Sequence, residues 1–426
     1  MSREKQPENA VVVYEPQPET PPLKQEGYWG RVSARFLLLK RIFVIALILF
    51  AVFFILCFSR AFTYDSLFSF VKDLQSVGDF IPSDYQTVSA TYREGAEIAL
   101  SYRGSIAFVN TKGIEIYSPD GGRLLDVEED FATPRALTSR KYLLVYDHGG
   151  SKLTVTNAYA ELFSESFQNM PRYNSKGEEI GEVDLQILGA SLADSGHFAV
   201  ITTSNRANQL SLVWLYDNNF NLIQCFGRGS ATLGVALSPN GSRVAILGAD
   251  AQSGEPLAKV DVFSLGAIKP DESLALQGEV PLSVSFVTNQ SIALLTNKTL
   301  YFLNNRLEIK ESVSLEGRAI VGFAANGEGV ALVLEENALT ATKRLLTFTT
   351  DGKELLNTTF VGEVGAMSLY DRTLFLLSDR SVVRFVGDSD EAERLEISAG
   401  AYDIFAVSAR GVRVVYPAKA DYLKFD

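Results

Sequence analysis

Two histidines, His148 and His197, are all the imidazole this chain has for ligating a metal or moving a proton near neutral pH. Each lies in a glycine-containing turn, His148 before Gly149-Gly150 and His197 after Gly196. A turn-bonded or solvated ring is the ordinary state there, and a two-histidine metal site would need carboxylates brought in from other parts of the chain. Carboxylates cluster at Glu128-Glu129-Asp130, at Glu178-Glu179 and over residues 388–393. Two of them about 5 to 10 Å apart in a cleft could hydrolyse a glycosidic bond. These runs sit beside other charged loop residues, however, as solvated turns do, and none has the ligand order of a calcium loop. No H-E-x-x-H, C-x-x-C, phosphate-cradling G-x-x-x-x-G-K or G-x-S-x-G motif occurs. The sequence therefore assigns no catalytic, cofactor-binding or metal-binding residue.

Binding surfaces ask for less: tyrosine, tryptophan and arginine presented on loops. By loop position the candidates are Tyr102, Arg103, Arg172, Tyr173 and Arg228. The long connection over residues 168–184, with Pro171 and Gly177, is the stronger candidate, because unusually long connections in a repeat array tend to carry function.

What positions these loops is a repeat. From residue 84 onward, short runs rich in Val, Ile, Leu, Tyr and Phe alternate with Gly, Asn, Asp and Ser, which predicts an all-β region. A small-and-apolar strand, a polar turn and a strongly apolar strand recur from Ile98, Ala136, Gly189, Gly234, Ser283, Val321, Ala366 and Ile404. Between them a second hairpin recurs from Ile114, Leu153, Ser211, Val260, Leu300, Leu345 and Ser381. Asp120-Gly121, Asn240-Gly241 and Asp351-Gly352 suit tight turns that need positive φ. Two hairpins make a four-stranded blade, and the period of roughly 37 to 54 residues brackets that of propeller blades. Eight inner but only seven outer hairpins imply that the chain ends complete the last blade, residues 421–425 lying beside a strand within residues 84–92. The expected fold is an eight-bladed β-propeller, with seven blades as the alternative.

Upstream, residues 42–58 form an uncharged run of about 26 Å as a helix, preceded by Arg31, Arg35, Lys40 and Arg41. This predicts a single-pass anchor in the lipid bilayer, with the N-terminus in the cytoplasm by the positive-inside rule. The expected organisation is a disordered tail over residues 1–27, an interfacial segment and anchor over 28–60, a juxtamembrane helix or linker over 61–83 and an extracytoplasmic propeller over 84–426. Net charge is −12 for the chain, and residues 1–41 carry seven Lys/Arg against five Glu, so the remainder holds −14. That sign excludes nucleic acid as a partner of the outer domain. The two cysteines, Cys57 in the apolar run and Cys225 in an expected strand, leave the outer domain without an internal disulfide, which fits a bacterial surface.

The stretches TPRALTSRKYLLV and YDHGGSKLTV (residues 133–155), DSGHFAVIT (194–202) and VWLYD (213–217) resemble the membrane-anchored, WD40-like β-propeller proteins of clostridial and related Gram-positive bacteria. The chain departs from true WD40 repeats, since no Gly-His and Trp-Asp pair recurs and Trp214 stands alone. It also lacks the boxes of sialidase propellers and the recurring Trp motif of quinone-dependent dehydrogenases. The resemblance implies architecture and an envelope location, with no catalytic residue to carry over. The expected function is a non-enzymatic module that binds an extracytoplasmic protein or envelope polymer, with no cofactor. A carbohydrate hydrolase or lyase and a transmembrane sensor are the alternatives.

Overall fold

The computed structural model describes residues 36, 39–50, 98–119 and 121–425, together with the backbone of 88–89. Residues 1–64 and 65–426 are separate compact units. In the first, residues 39–50 are helical, about 18 Å of helix. Among the described residues no helix is long and apolar enough to cross a membrane. The expected span of residues 42–58 is described only as far as residue 50, and its remainder lies outside the described residues, as do the tail of residues 1–27 and the juxtamembrane helix of residues 61–83.

The second unit is a ring of eight four-stranded antiparallel sheets. With strands lettered A to D from the axis outward, blade 1 is Ile98–Tyr102, Ser105–Asn110, Gly113–Tyr117 and Arg123–Glu128, and six more blades repeat that order. The strands A of blades 2 to 7 are Pro134–Thr138, Ile187–Leu192, Ala231–Leu237, Pro281–Phe286, Ile320–Asn326 and Ala366–Tyr370. Blade 8 takes Asp403–Ser408, Gly411–Tyr416 and Lys419–Lys424 from the C-terminus and its outer strand, Val88–Ser89, from the start of the domain. Val88 pairs with Ala420 and Ser89 with Lys419, so the two ends of the chain close the ring and the count is eight.

The strand patterns follow from where each strand lies. A strand B has sheet neighbours on both sides and a blade against each face, so it reads as an unbroken apolar run: Ser291–Thr296 and Thr373–Ser378 are buried throughout. Successive side chains point to opposite faces. In blade 2, Leu143 and Val145 therefore pack with blade 1, whereas Leu144 packs with blade 3. The same division holds around the ring, giving eight apolar clusters, one for each pair of adjacent blades. Strands D have one solvated edge and alternate, as in Glu272–Gln277. Gly113 opens strand C of blade 1 at φ 149°, where a Cβ would stand 2.0 Å from the Val127 carbonyl oxygen. Only glycine permits that approach.

One buried ion cluster ties blade 3 to blade 4. Asp261, 1% exposed, pairs with Arg228, lies 3.5 Å from Lys259 and accepts a 2.6 Å hydrogen bond from Ser273. Burial alone would raise its pKa, but the Ser273 and Arg228 hydrogen bonds and the neighbouring cations outweigh it and hold the carboxyl below its usual 3.8. Its contribution to stability is accordingly complete above pH 3.8 and is lost as pH falls through the lower folded value. Asp261→Asn is expected to cost about 3 kcal/mol at pH 7. In urea titrations the gap between variant and wild type should narrow at pH 3; a gap independent of pH would contradict this.

Candidate functional site

Antiparallel hairpins sort the turns of a propeller onto two faces. Turns from A to B and from C to D lie on one; turns from B to C, and the connections from one blade's D to the next blade's A, lie on the other. The first face is tied blade to blade. Tyr102 donates its hydroxyl hydrogen to the Lys141 carbonyl, and the Arg140 N–H reaches Asp194 Oδ1 at 3.3 Å. Ser195 N–H donates to Pro239 O at 3.0 Å, Asn240 N–H to Asn289 Oδ1 at 3.0 Å, and Asp371 N–H to a Glu328 carboxylate oxygen. His197 belongs to this belt: its Nδ1 is 2.9 Å from Ser195 Oγ, and it lies so close to Gly241, at φ 71°, that a Cβ there would stand 2.4 Å from Nδ1. Burial lowers its pKa below 6.5, with Lys141 assisting and Asp217 opposing.

The second face is built differently. In blades 3 to 6 the pairing of strand A with strand B breaks near the start of A, between Ile187 and Gly189, Thr232 and Gly234, Pro281 and Ser283, and Ile320 and Gly322. Each break is a β-bulge whose extra residue is left outside the ladder. Those residues are Leu188, Leu233, Leu282 and Val321, between 36% and 53% exposed. Four consecutive blades thus set an arc of aliphatic side chains around the mouth of the central channel, joined by exposed Val280. Strands A of blades 1, 2 and 7 pair without such a break.

The largest elaborations of the repeat lie on this same face. The connection between blades 2 and 3 forms a hairpin of Met170–Tyr173 with Glu179–Val183. Loop 204–210 of blade 3 holds it. Tyr173 N–H donates to Asn205 O at 2.8 Å, Asn205 Nδ2 to Pro171 O at 2.8 Å, and the Arg206 guanidinium lies 5.8 Å over the Tyr173 ring. In blade 4, strands Arg243–Gln252 and Glu255–Ser264 run ten residues each and project their Ser253-Gly254 turn beyond the ring. Blade 6 adds the 3₁₀ turn Ala338–Thr340, capped by the Asn337 side chain and carrying a fully exposed Leu339.

The residues singled out from sequence fare unevenly. Residues 168–184 are the elaborated connection, and Arg172 is exposed on it, with Tyr173 half-buried. Tyr102 is a core residue, 1% exposed, because strand A of blade 1 turns its ring into the interface with blade 2. Arg103 occupies the opposite face at φ 52°. Arg228 is drawn inward by Asp261 and lies over the Phe263 ring. His148 and His197 stand at opposite ends of their blades, since one follows a strand B and the other precedes one. The acidic clusters are occupied locally: Glu129 with Lys152 at 2.6 Å, Asp130 with Lys112 at 3.2 Å, Glu178 with Asn174 and Glu393 with Arg384. The apolar arc escaped the sequence reading. Its signal is a large apolar residue before Gly or Ser at one place in four successive repeats: Leu188-Gly189, Leu233-Gly234, Leu282-Ser283 and Val321-Gly322.

Comparison with solved structures returns propellers. The C-terminal WD40 domain of Sif2 superposes with a TM-score of 0.52 at 12% identity, over 80% of this chain and 99% of that one. Sqt1 from Chaetomium thermophilum gives 0.51 at 11%, over 80% and 100%. The quinohemoprotein alcohol dehydrogenase ADHIIG from Pseudomonas putida HK5 gives 0.50 at 9%, over 79% and 72%. At these identities the likeness is one of fold alone, and it spans a WD40 domain and an enzyme. No curated protein matches the chain by sequence. A family model described as a family of unknown function, DUF5711, matches residues 82–425, and the chain belongs to that family.

Proposed function

We propose that the protein is a membrane-tethered, extracytoplasmic binding module that holds a protein partner against the face bearing the aliphatic arc. The carrying observation is that arc: four bulged residues at equivalent places in consecutive blades, exposed on a face that also bears the hairpin and the lengthened strands. Contiguous exposed apolar groups rimmed by polar loops are how soluble domains present interaction sites. The mechanism is rigid display. Blade interfaces and the belt on the opposite face hold the loops in place, so little ordering cost is left for the moment of binding. Residues 42–58 and the cations before them support a tether, which confines encounters to a thin layer and raises effective concentration.

The test is a photo-crosslinking amino acid placed at Leu233 or at Gln290, on the opposite face, in intact cells. A discrete protein adduct from Leu233 and none from Gln290 is the expected result; adducts of the same partner from Gln290 alone would assign the wrong face. A C-terminal alkaline phosphatase fusion, active only outside the cytoplasm, should be active. An inactive fusion at full expression would remove the extracytoplasmic location while leaving the binding face to stand.

A further inference from the structure

We propose that the face opposite the aliphatic arc rests on an anionic bilayer surface through the basic turns of blades 7, 8, 1 and 2. The inference rests on the tether reading of residues 42–58. In these four blades every turn from strand A to strand B carries arginine: Arg372, Arg410, Arg103 and, with Lys141 beside it, Arg140. All five residues are exposed. The corresponding turns of blades 3 to 6 hold no Lys or Arg, and they hold Asp194 and Glu328. Half of the inner rim thus sets five cations against one carboxylate, Asp371, in a chain whose net charge is −12. Arg140 reaches Asp194 at 3.4 Å yet keeps 86% of its side chain exposed. The two-residue turns Arg103-Gly104 and Asp371-Arg372 have positive φ throughout, from 39° to 77°, which fixes where their side chains start.

The path of the chain favours a bilayer over a soluble acidic partner. Strand C of blade 8, Lys419–Lys424, begins at a turn from B to C and so runs from the arc-bearing face to the basic one. Val88 and Ser89 pair antiparallel with Ala420 and Lys419, so the chain arrives at Val88 from the basic face. It arrives in blade 8, which has basic turns on either side of it. Residues 59–87 alone separate the apolar run from that point, at most roughly 100 Å of chain. A tether of this reach keeps the effective concentration of headgroups high, so a modest attraction suffices. Each Lys or Arg beside an anionic leaflet favours association about fivefold. Among the described residues, the carboxylates on the turns from C to D of these blades are Asp388, Asp390 and Glu391, all in blade 7. They stand two strand spacings further out, about 10 Å, past a Debye length of about 8 Å. With the basic face on the bilayer, the aliphatic arc points away from it, toward a partner.

The experiment uses the full chain with Cys57→Ser and Cys225→Ser, reconstituted in nanodiscs of phosphatidylcholine alone or with phosphatidylglycerol as about a third of the lipid. Ala409→Cys carries a fluorophore within the basic turns, and Ser253→Cys carries it on the opposite face. Quenching at position 409 by a lipid with a nitroxide headgroup should be at least threefold stronger with phosphatidylglycerol than without, and should vanish in about 0.5 M sodium chloride. Position 253 should stay unquenched in both lipids. Arg103→Asn, Arg372→Asn and Arg410→Asn together, asparagine because it tolerates positive φ, should lower the docked-to-free ratio about a hundredfold with the same thermal unfolding midpoint. Equal quenching in the two lipids would give the basic turns to a soluble acidic partner. That result, stronger quenching at 253 than at 409, or a triple variant that still docks would each overturn the proposal. Carbonate extraction reads the tether separately. Release of the chain would remove the tether and the proposal together, whereas retention without quenching at 409 would overturn the proposal and leave the tether standing.

Discussion

Replacing Leu233 and Leu282 together by lysine is expected to weaken partner capture by more than a hundredfold while leaving the fold intact. Both side chains leave the ladder at bulges and are about half exposed, so a lysine at either place loses little packing and keeps its ammonium in water. In a complex the same positions lie at the centre of the face, where truncating an anchor typically costs 2 kcal/mol or more and an unpaired buried charge costs further. Each 1.4 kcal/mol is tenfold in affinity, so two such losses exceed a hundredfold. Ile268→Lys is the control, because Ile268 is 87% exposed on the opposite face. Capture from detergent extracts of cells expressing each variant, with thermal melts alongside, makes the comparison. Equal loss from Ile268→Lys, or undiminished capture by the double variant, would contradict the assignment.

Phe198→Ala should be the most damaging single substitution in the blade 2 and blade 3 interface, at about 3–5 kcal/mol. Phe198 is completely buried and stacks on Tyr216 with ring centroids 4.5 Å apart and planes 5° from parallel. Phe163 and Phe220 lie around it at 5.9 and 6.4 Å. Removing the ring empties the middle of this aromatic cluster, and a tightly packed neighbourhood relaxes only in part. Because each adjacent pair of blades has its own apolar cluster, the damage should begin locally. Native-state hydrogen exchange is expected to accelerate first in strands of blades 2 and 3, with Thr373–Ser378 of blade 7 retaining its protection. Uniform acceleration around the ring would show that the eight interfaces melt as one unit.

The interface around Phe198 also bears the 170–183 hairpin, and the arrangement has a structural logic. Phe167, at the root of that connection, packs against Trp214 with ring centroids 5.2 Å apart, and Trp214 Nε1 donates to Thr202 Oγ1 at 2.9 Å. The longest insertion therefore rises from the blade pair richest in aromatic contacts. Its base cannot swing without disturbing a core.

Periodicity carried the fold. Alternating apolar and polar residues, turn glycines and eight recurrences of one hairpin specify a ring of four-stranded blades, because a sheet side chain has only two faces to choose between and every strand B must satisfy both. Even closure was legible, since an unpaired last hairpin requires an outer strand from the other end of the chain. The working face was not. Tyr102 and Arg228 have the composition of a binding surface, yet one is core and the other serves a buried carboxylate. Leu188, Leu233, Leu282 and Val321 have the composition of core and are exposed. A bulge moves one residue out of register without changing the residue types around it, so the alternation that announces a strand cannot announce where it slips. Residue order determined which segments pair; only the closed ring decided which side chains the pairing left outside.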